Sequence, residues 1–223
     1  MLQHQRFLEC VFDAVASKKL LKTGYVRQVG GLYPANCDTV AGHSHAVSVI
    51  ALILTFEISQ ELKDYCGYFL NTEDIITLAV IHDHGEARSG DTGAQSMATY
   101  GECKLFSLER DALAASFDGL VASETVLRLF DDYRKYSTPE ALVVHAADVL
   151  EGFEKALEHF HNRPLALDRS LKTISHNLQL FRERQAVGSP VLEQVGHFLA
   201  DRVLYPCIDG LLQSYGLSIT LLE

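Results

Sequence analysis

A histidine and an aspartate stand next to each other at His82 and Asp83, within the stretch AVIHDHGEARSGD. Adjacent side chains on a helix project about 100° apart, so both can reach one point beside the helix. Glu86 lies four residues after His82, which places its carboxylate on the same helical face, one turn further on. An imidazole nitrogen combined with a carboxylate oxygen suits a borderline or hard divalent cation. Since three such groups are costly to bury among apolar neighbours, the stretch predicts a metal site.

Two residues that are distant in sequence are candidates for the same ion. His43 falls on the apolar face of a predicted helix, so its side chain is expected to point inward, as a ligand or as a hydrogen-bonded core histidine. Asp148 lies mid-helix in an apolar neighbourhood, where a carboxylate needs a metal or an ion-pair partner such as Lys155 or Arg134. The candidate ligand set is His43, His82, Asp83 and Asp148, which leaves room for waters on a six-coordinate ion.

Composition places the chain among ordinary soluble globular proteins. It has 223 residues, of which 48% are hydrophobic and 22% are charged, enough for one large domain with a core of its own. The formal net charge of −10 argues against nonspecific binding to nucleic-acid polymers or to anionic membranes. An anionic small molecule is not excluded, because a divalent ion and a few local cations can reverse the potential inside a pocket.

Cysteine usage and the N-terminal segment predict a cytoplasmic protein. The five cysteines are widely separated, none forms a C-x-x-C pair, and their number is odd, which is typical of a reduced compartment. The N-terminal segment MLQHQRFLEC lacks the apolar stretch of a signal peptide. The longest apolar run, residues 47–56, is too short to span a bilayer, so no membrane association is expected.

The apolar residues recur with helical periodicity, and no alternation of period two persists. We therefore predict an all-α fold in a single domain over residues 1–223, without internal repeats. One apolar stripe, of Phe7, Val11, Phe12 and Val15, is expected to turn the first helix toward the core. Helices are predicted near residues 3–18, 39–62, 71–88, 102–118, 122–135, 139–161, 166–186 and 190–216.

Three of the predicted helix starts carry capping signals. Thr39 is a candidate N-cap for the second helix, and Asn71 with Asp74 has the pattern of a cap and its reciprocal partner. The Thr-Pro-Glu sequence at residues 138–140 combines a cap, a proline at the first helical position and an acid in the first turn. Pro206 is expected to break the last helix, because proline cannot donate a backbone hydrogen bond.

In order and spacing, these residues resemble the HD-domain metal-dependent phosphohydrolase superfamily, and within it the 5′-deoxynucleotidase-like branch. Residues 38–44, DTVAGHS, are similar to the branch's E-S-V-[AS]-[ED]-H-[ST] segment. Residues 82–91, HDHGEARSGD, are similar to its H-D-x-x-E-x-x-x-G-D motif, and residues 147–151, ADVLE, resemble its A-D-x-L-E helix. The blocks occur in the family's order, and the resemblance covers about residues 20–160.

The resemblance implies an all-α HD-domain helical bundle, with the C-terminal helices over residues 166–216 packed on the motif core. It implies hydrolysis of the phosphate ester of a nucleotide with one divalent metal ion, which would be Mn, Co, Mg, Fe or Zn. By the same resemblance, Glu86 and Asp91 are the catalytic residues that orient or activate water. The metal ligands that it implies are His43, His82, Asp83 and Asp148.

Several positions depart from the family pattern. Gly42 stands where an acidic residue precedes the ligand histidine, KTGY at residues 22–25 replaces an element that contains tryptophan, and His145 stands where a lysine is common. In the family these positions lie where the sugar and the phosphate of the substrate are recognised. The departures therefore bear on substrate identity more than on metal binding. The candidate substrate-binding cations, on or near predicted loops, are Lys22, Arg27 and Lys104.

The expected function is hydrolysis of a (deoxy)nucleoside 5′-monophosphate by metal-activated water. The alternatives are a (deoxy)nucleoside triphosphate triphosphohydrolase or pyrophosphohydrolase and, in a different class, a non-catalytic nucleotide- or metal-binding sensor. A dinuclear HD site is disfavoured, because His84 is the only histidine between Asp83 and His145 and is badly placed. The apolar excess of residues 191–222 predicts a homodimer or a higher homo-oligomer.

Overall fold

A computed structural model of the chain describes residues 4–22, 39–91, 101–160, 172, 175 and 189–217. The regular structure of these residues is helical, and the predicted all-α fold is confirmed. Within the described parts, extended pairing is confined to an isolated antiparallel bridge between Leu21 and Thr39. Nearly all of the predicted helix over residues 166–186 lies outside the described parts.

The helices begin and end within a few residues of the predicted positions, with two exceptions. A turn divides the helix predicted over residues 71–88, and a π-helical segment lies within the helix predicted over residues 190–216. In the described parts, the helices are α1 (His4–Ser17), α2 (Val40–Cys66), α3 (Thr72–Ile81), α4 (Glu86–Ser89), α5 (Glu102–Phe117), α6 (Ser123–Lys135), α7 (Pro139–Phe160), α8 (Pro190–Phe198) and α9 (Tyr205–Ser214). A π-helical segment, Leu199–Leu204, lies between α8 and α9.

By its internal contacts the chain divides into two compact units. The first comprises Met1–Ala46 and Ile76–Lys135, and in it α1 packs on α4 and α5 while α5 packs on α4 and α6. The second comprises Val47–Ile75 and Tyr136–Glu223, and in it α7 packs on α8, the π-helical segment and α9. Helices α2 and α3 contribute residues to both units. A single domain over the whole chain stays a prediction.

In the first unit, α1 packs by a different face from the one that the apolar stripe predicts. Three stripe residues are exposed, namely Val11, Phe12 and Val15, and the side chain of Phe7 lies outside the described set. Asp13 anchors the helix instead, because its Oδ2 accepts hydrogen bonds from Arg88 Nε at 2.6 Å and Ser116 Oγ at 2.7 Å. The predicted core-facing stripe was wrong because periodicity shows which face is apolar, not which face other elements cover.

Hydrogen bonds confirm the two predicted threonine caps. At the start of α2, Thr39 Oγ1 accepts from the backbone N–H of Gly42 at 3.0 Å. At the start of α7, Thr138 Oγ1 accepts from the backbone N–H of Ala141 at 3.2 Å. Each cap satisfies an N–H group that the first helical turn leaves without a backbone partner.

Glu140 joins the starts of α3 and α7 in the second unit. Asn71 caps α3, because its Oδ1 accepts from the N–H groups of Glu73 at 3.1 Å and Asp74 at 3.3 Å. The backbone N–H of Asn71, which a capping box would pair with Asp74, donates to Glu140 Oε1 at 3.0 Å. The hydroxyl of Tyr68 lies 3.2 Å from both carboxylate oxygens of Glu140. The buried carboxylate of Glu140 thus links the start of α3 to the first turn of α7.

The predicted break at Pro206 is replaced by a wide helical turn. The backbone stays helical from α8 through the π-helical segment Leu199–Leu204 into α9. Proline lacks an N–H group, and in an α-helix its ring clashes with the carbonyl four residues before it. The π-helical segment, whose hydrogen bonds span five residues, lies directly before Tyr205 and Pro206. Apolar residues of these elements are buried in the second unit, among them Phe198, Leu204 and Ile208.

Helix α2 is apolar around most of its circumference. Val47, Ala51 and Leu62 are fully buried, whereas Ile53 and Phe56 on the opposite side are exposed by 55% and 70%. By length and composition alone, this 27-residue helix qualifies as a candidate membrane span, a test that core helices of soluble proteins also pass.

Candidate metal centre

The histidine–aspartate pair lies in a turn, whereas its spacing predicted a position within a helix. Helix α3 ends at Ile81, and residues 82–85 form a hydrogen-bonded turn before α4 begins at Glu86. The N–H of His84 donates to the carbonyl of Ile81 at 2.9 Å, and that of Glu86 to the carbonyl of Asp83 at 3.0 Å. These bonds reach back three residues instead of four. The continuous helix was a wrong prediction because histidine, aspartate and glycine together have weak helix propensity.

Three side-chain atoms converge on one point in the first unit. Nε2 of His43 lies 3.4 Å from Nε2 of His82, and Oδ2 of Asp83 lies 3.4 Å from each of these nitrogens. The centre of this triangle is about 2.0 Å (3.4 Å divided by √3) from each atom, within the range of bonds from zinc to nitrogen and oxygen. Both histidines are buried, with exposed fractions of 5% and 3%. The donor set therefore fits a divalent metal ion.

A hydrogen bond to the backbone turns His82 toward that point. Its Nδ1 lies 2.8 Å from the carbonyl oxygen of Ala79, which can only accept, so Nδ1 carries the proton and Nε2 the lone pair. The ring also makes edge contacts with Tyr133 and His43, with centroid distances of 5.6 and 5.4 Å. The hydrogen bond and the packing together fix the imidazole in the tautomer that a metal ion requires.

Asp83 is held as a carboxylate by the groups around it. Burial raises the pKa of its carboxyl, but His82, Lys22 and His43 outweigh burial and hold the pKa well below its usual range. The ammonium of Lys22 donates to Oδ2 of Asp83, the same oxygen that faces the two imidazole nitrogens. A carboxylate must be deprotonated to bind a metal ion, and these neighbours favour that form.

Lys22 also binds the second acidic residue of the motif. Its Nζ lies 3.2 Å from Oε2 and 3.4 Å from Oε1 of Glu86. Burial lowers the pKa of the Lys22 ammonium, but Asp83, Glu86 and Asp91 outweigh burial and raise the pKa well above its usual value. The predicted phosphate-binding cation is thus an ion-pair partner of two site carboxylates, and its contact with substrate stays a prediction.

Backbone pairing places Lys22 beside the helix that carries His43. The preceding residue, Leu21, forms the antiparallel bridge with Thr39, which is the cap of α2. His43 follows in the first turn of α2, and its N–H donates to the carbonyl of Thr39 at 2.9 Å. The bridge and the cap therefore bring a cation and an imidazole that are 21 residues apart in sequence to the same site.

Glu86, a predicted catalytic residue, is buried next to these groups. Burial and then the carboxylate of Asp83 raise the pKa of Glu86 to about 9, while Lys22 opposes them. A cation at Asp83 would offset that repulsion and favour the ionised form of Glu86. The other predicted catalytic residue, Asp91, is half-buried just after α4 and acts electrostatically on both Glu86 and Lys22.

Gly85 lets α5 approach the turn closely. A Cβ atom at Gly85 would lie 2.6 Å from the carbonyl oxygen of Glu109, closer than real Cβ contacts. The carboxylate of Glu109 pairs with Arg134, with Oε2 3.5 Å from Nη1. Burial raises the pKa of Glu109, although Arg134 lowers it. Sequence reasoning missed Glu109 and named Arg134 only as an alternative partner of Asp148, because no spacing links these two residues to the histidine–aspartate motif.

The remaining predicted site residues keep the status of predictions. Asp148 lies on α7 in the second unit and is half-buried. Its alternative partner Lys155 donates to Glu158 at 2.9 Å. Lys104 is exposed in the first turn of α5, and Arg27 lies outside the described residues.

Two solved structures resemble this chain in fold. A conserved hypothetical protein from Pyrococcus furiosus is 23% identical, with a TM-score of 0.61, over 88% of this chain and 99% of that one. A protein from Pyrococcus horikoshii OT3 is 20% identical, with a TM-score of 0.60, over 89% of this chain and 98% of that one. No curated protein shows significant similarity to the chain.

Family membership rests on a match to the model of a protein family. Residues 26–183, most of the chain, match the HD domain, and the match includes the turn with His82 and Asp83. The HD domain supports a metal-dependent hydrolase in general, while the 5′-deoxynucleotidase-like branch stays a prediction. His43, His82 and Asp148 can each offer one donor atom to a metal ion, either a ring nitrogen or a carboxylate oxygen. The chain therefore belongs to the HD domain family.

Proposed function

We propose that the protein is a metal-dependent phosphohydrolase that releases orthophosphate from a (deoxy)nucleoside 5′-monophosphate. The observation that carries the proposal is the triangle of donor atoms from His43, His82 and Asp83, which fits one divalent ion. Membership of the HD domain family supports metal-dependent hydrolysis. The resemblance of the motifs to the 5′-deoxynucleotidase-like branch supports the choice of substrate.

Asp148 is the proposed fourth ligand, in addition to His43, His82 and Asp83. Two imidazoles and two carboxylates suit a borderline or hard ion, so Mn, Co, Mg, Fe and Zn are the candidates. When bound, such an ion supplies a nucleophile from water at neutral pH and polarises a phosphoryl oxygen.

The acidic residues beside the metal ligands transfer the protons of the reaction. Glu86 takes a proton from the attacking water. As the new P–O bond forms and the ester P–O bond breaks, Asp91 delivers a proton to the leaving 5′-oxygen. Lys22 partly offsets the negative charge of Asp83 and Glu86, which lowers the repulsion that a phosphate dianion meets on approach.

The experiment is a nucleotide panel with Mn²⁺, Co²⁺ and Mg²⁺, followed by identification of the phosphorus products. Orthophosphate from monophosphates supports the proposal. Triphosphate or pyrophosphate from nucleoside triphosphates would replace it with the triphosphohydrolase or pyrophosphohydrolase alternative. Nucleotide-induced thermal stabilisation without turnover under any of the three metals would identify a binding sensor instead. Asp83→Ala is the control for a contaminating phosphatase, because it should abolish the activity.

We further propose a cytoplasmic homodimer or higher homo-oligomer whose partner is a small phosphorylated molecule, and neither a nucleic-acid polymer nor a membrane. The net charge of −10 supports this choice of partner. Light scattering at micromolar concentration tests the assembly, because a monomer would return the chain mass of 24.7 kDa. Vesicle and oligonucleotide binding assays at physiological salt should both be negative.

A further inference from the structure

The oxygen of Asp83 that completes the donor triangle is also the oxygen that Lys22 binds. Oδ2 of Asp83 lies 3.4 Å from Nε2 of His43 and 3.4 Å from Nε2 of His82, and the ammonium of Lys22 donates to this same Oδ2. A carboxylate oxygen has more than one lone pair, so it can contact two cations at once. A divalent ion in the triangle and the ammonium would nevertheless repel each other, because both are positive and lie close together where little water screens them.

The main chain fixes Lys22 beside the centre. Leu21 forms the antiparallel bridge with Thr39, and the backbone N–H of Val40 donates to the carbonyl of Leu20 at 2.8 Å. The side chain of Lys22 is only 14% exposed. Because backbone contacts, and not the ion pair alone, hold this segment in place, a divalent ion in the triangle has the ammonium as a neighbour.

Glu86 offers the ammonium a second acceptor. Nζ of Lys22 lies 3.2 Å from Oε2 and 3.4 Å from Oε1 of Glu86, and the side chains of Asp83 and Glu86 are 16% and 9% exposed. Two carboxylates that are both this close to one ammonium repel each other without it. Lys22 can therefore neutralise both acids in the metal-free protein, and it can turn to Glu86 when Oδ2 of Asp83 binds an ion.

We propose that Lys22 competes with the divalent ion for Oδ2 of Asp83. Lys22 thereby lowers the affinity of the centre for metal, and it stabilises the folded protein before metal binds. The inference rests on the metal centre of the proposed function and not on the substrate or the reaction. A residue that merely orients a metal ligand has the opposite effect, because its loss weakens metal binding. The sign of the change in metal affinity therefore distinguishes competition from orientation.

The test is a calorimetric titration with Mn²⁺ of the wild type, Lys22→Gln and Lys22→Arg. Glutamine removes the positive charge and keeps a hydrogen-bond donor, whereas arginine keeps the charge. The dissociation constant for Mn²⁺ should fall about tenfold or more in Lys22→Gln, the scale on which residues next to metal ligands change affinity, and should stay near the wild-type value in Lys22→Arg. Arg202→Gln removes one positive charge from a side chain that is 61% exposed. It is the control for net charge and should bind Mn²⁺ like the wild type.

Urea unfolding gives a second readout that requires no turnover. With a chelator present, Lys22→Gln should unfold at a lower urea concentration than the wild type, because two largely buried carboxylates lose their shared cation. Saturating Mn²⁺ should stabilise Lys22→Gln more than it stabilises the wild type. If the variant is unfolded in the chelator, Mn²⁺ should restore its fold. A variant that stays unfolded in saturating Mn²⁺ would show that the ammonium is needed together with the ion, and the inference would be wrong.

The other outcomes separate this inference from the proposed function. A dissociation constant for Mn²⁺ that is unchanged or higher in Lys22→Gln would overturn the competition, because Lys22 would then support metal binding. A wild type that binds Mn²⁺ and hydrolyses no nucleotide would overturn the proposed function, while the titrations would still decide the role of Lys22. If neither the wild type nor Lys22→Gln binds Mn²⁺, Co²⁺ or Mg²⁺, the metal centre and the inference are both wrong.

Discussion

The Nδ1 atom of His82 lies 2.8 Å from the carbonyl oxygen of Ala79, one turn back along the chain. The main chain, and not another side chain, therefore sets the tautomer of this histidine. Because the acceptor belongs to the last residues of α3, the end of that helix and the orientation of Nε2 toward His43 are coupled. Local backbone geometry at the end of α3 thus orients one nitrogen donor of the candidate metal centre.

Substitution of Asp83 should lower both metal content and catalysis, whereas substitution of Glu86 should lower catalysis alone. Asp83→Ala removes a charged donor of the triangle, so metal content and phosphate release should fall together. Glu86→Ala should keep metal near the wild-type content while turnover falls by roughly 10²–10⁴, the range for a lost general acid–base group. Elemental analysis beside phosphate-release rates gives both quantities. If Glu86→Ala loses its metal as completely as Asp83→Ala does, Glu86 is a metal ligand. If Glu86→Ala keeps full activity, the general acid–base role belongs to Asp91.

Addition of metal should stabilise the folded protein. At a free Mn²⁺ concentration of about 100 times its dissociation constant, the gain is about 2.7 kcal/mol, which is roughly 5–10 °C in Tm for a chain of this size. A chelator should reverse the shift in a thermal melt. Asp83→Ala should show almost no shift. Arg202→Ala, which breaks only an exposed ion pair with Glu61, should shift like the wild type; equal shifts in all three proteins would place metal binding elsewhere.

Gly85→Ala should destabilise the protein by about 1–3 kcal/mol, because the new Cβ meets the carbonyl oxygen of Glu109 at 2.6 Å and backbone must move. Gly210→Ala is the matched control. Gly210 lies in α9 with no atom within 4 Å of the added Cβ, and alanine there should stabilise by about 0.5–1 kcal/mol. Urea unfolding measures both. A neutral Gly85→Ala would mean that α5 moves away at little cost.

Tyr68 should make stability depend on pH in the alkaline range. Burial, followed by the nearby Glu140 carboxylate, raises the pKa of Tyr68 to about 12 from its ordinary value of 10.0. Below pH 10 the phenol is neutral in both states and its stabilising contribution is complete. Between pH 10 and 12 the unfolded chain loses the proton first, so stability falls as pH rises. Urea unfolding of wild type and Tyr68→Phe should show their difference shrinking over this interval; a constant difference would contradict the shift.

The sequence by itself determined the helical class, most helix ends, and the donor types at His43, His82 and Asp83. These features are local: apolar periodicity, capping residues such as Thr39 and Thr138, and the cost of burying polar groups without partners. The position of Thr39 as a cap followed from its short side chain alone, and its hydrogen bond to Gly42 confirms it.

Only the tertiary structure decided how these residues meet. That Lys22 pairs with Asp83 and Glu86 depends on contacts across more than 60 residues of sequence, and no periodicity carries that information. The exposure of Phe12 and the burial of Glu140 likewise depend on which surfaces other helices cover. The close approach of α5 to Gly85 also joins segments that no local pattern connects. Spacing limits what one helix can present, whereas packing between distant segments selects the partners and sets their charges.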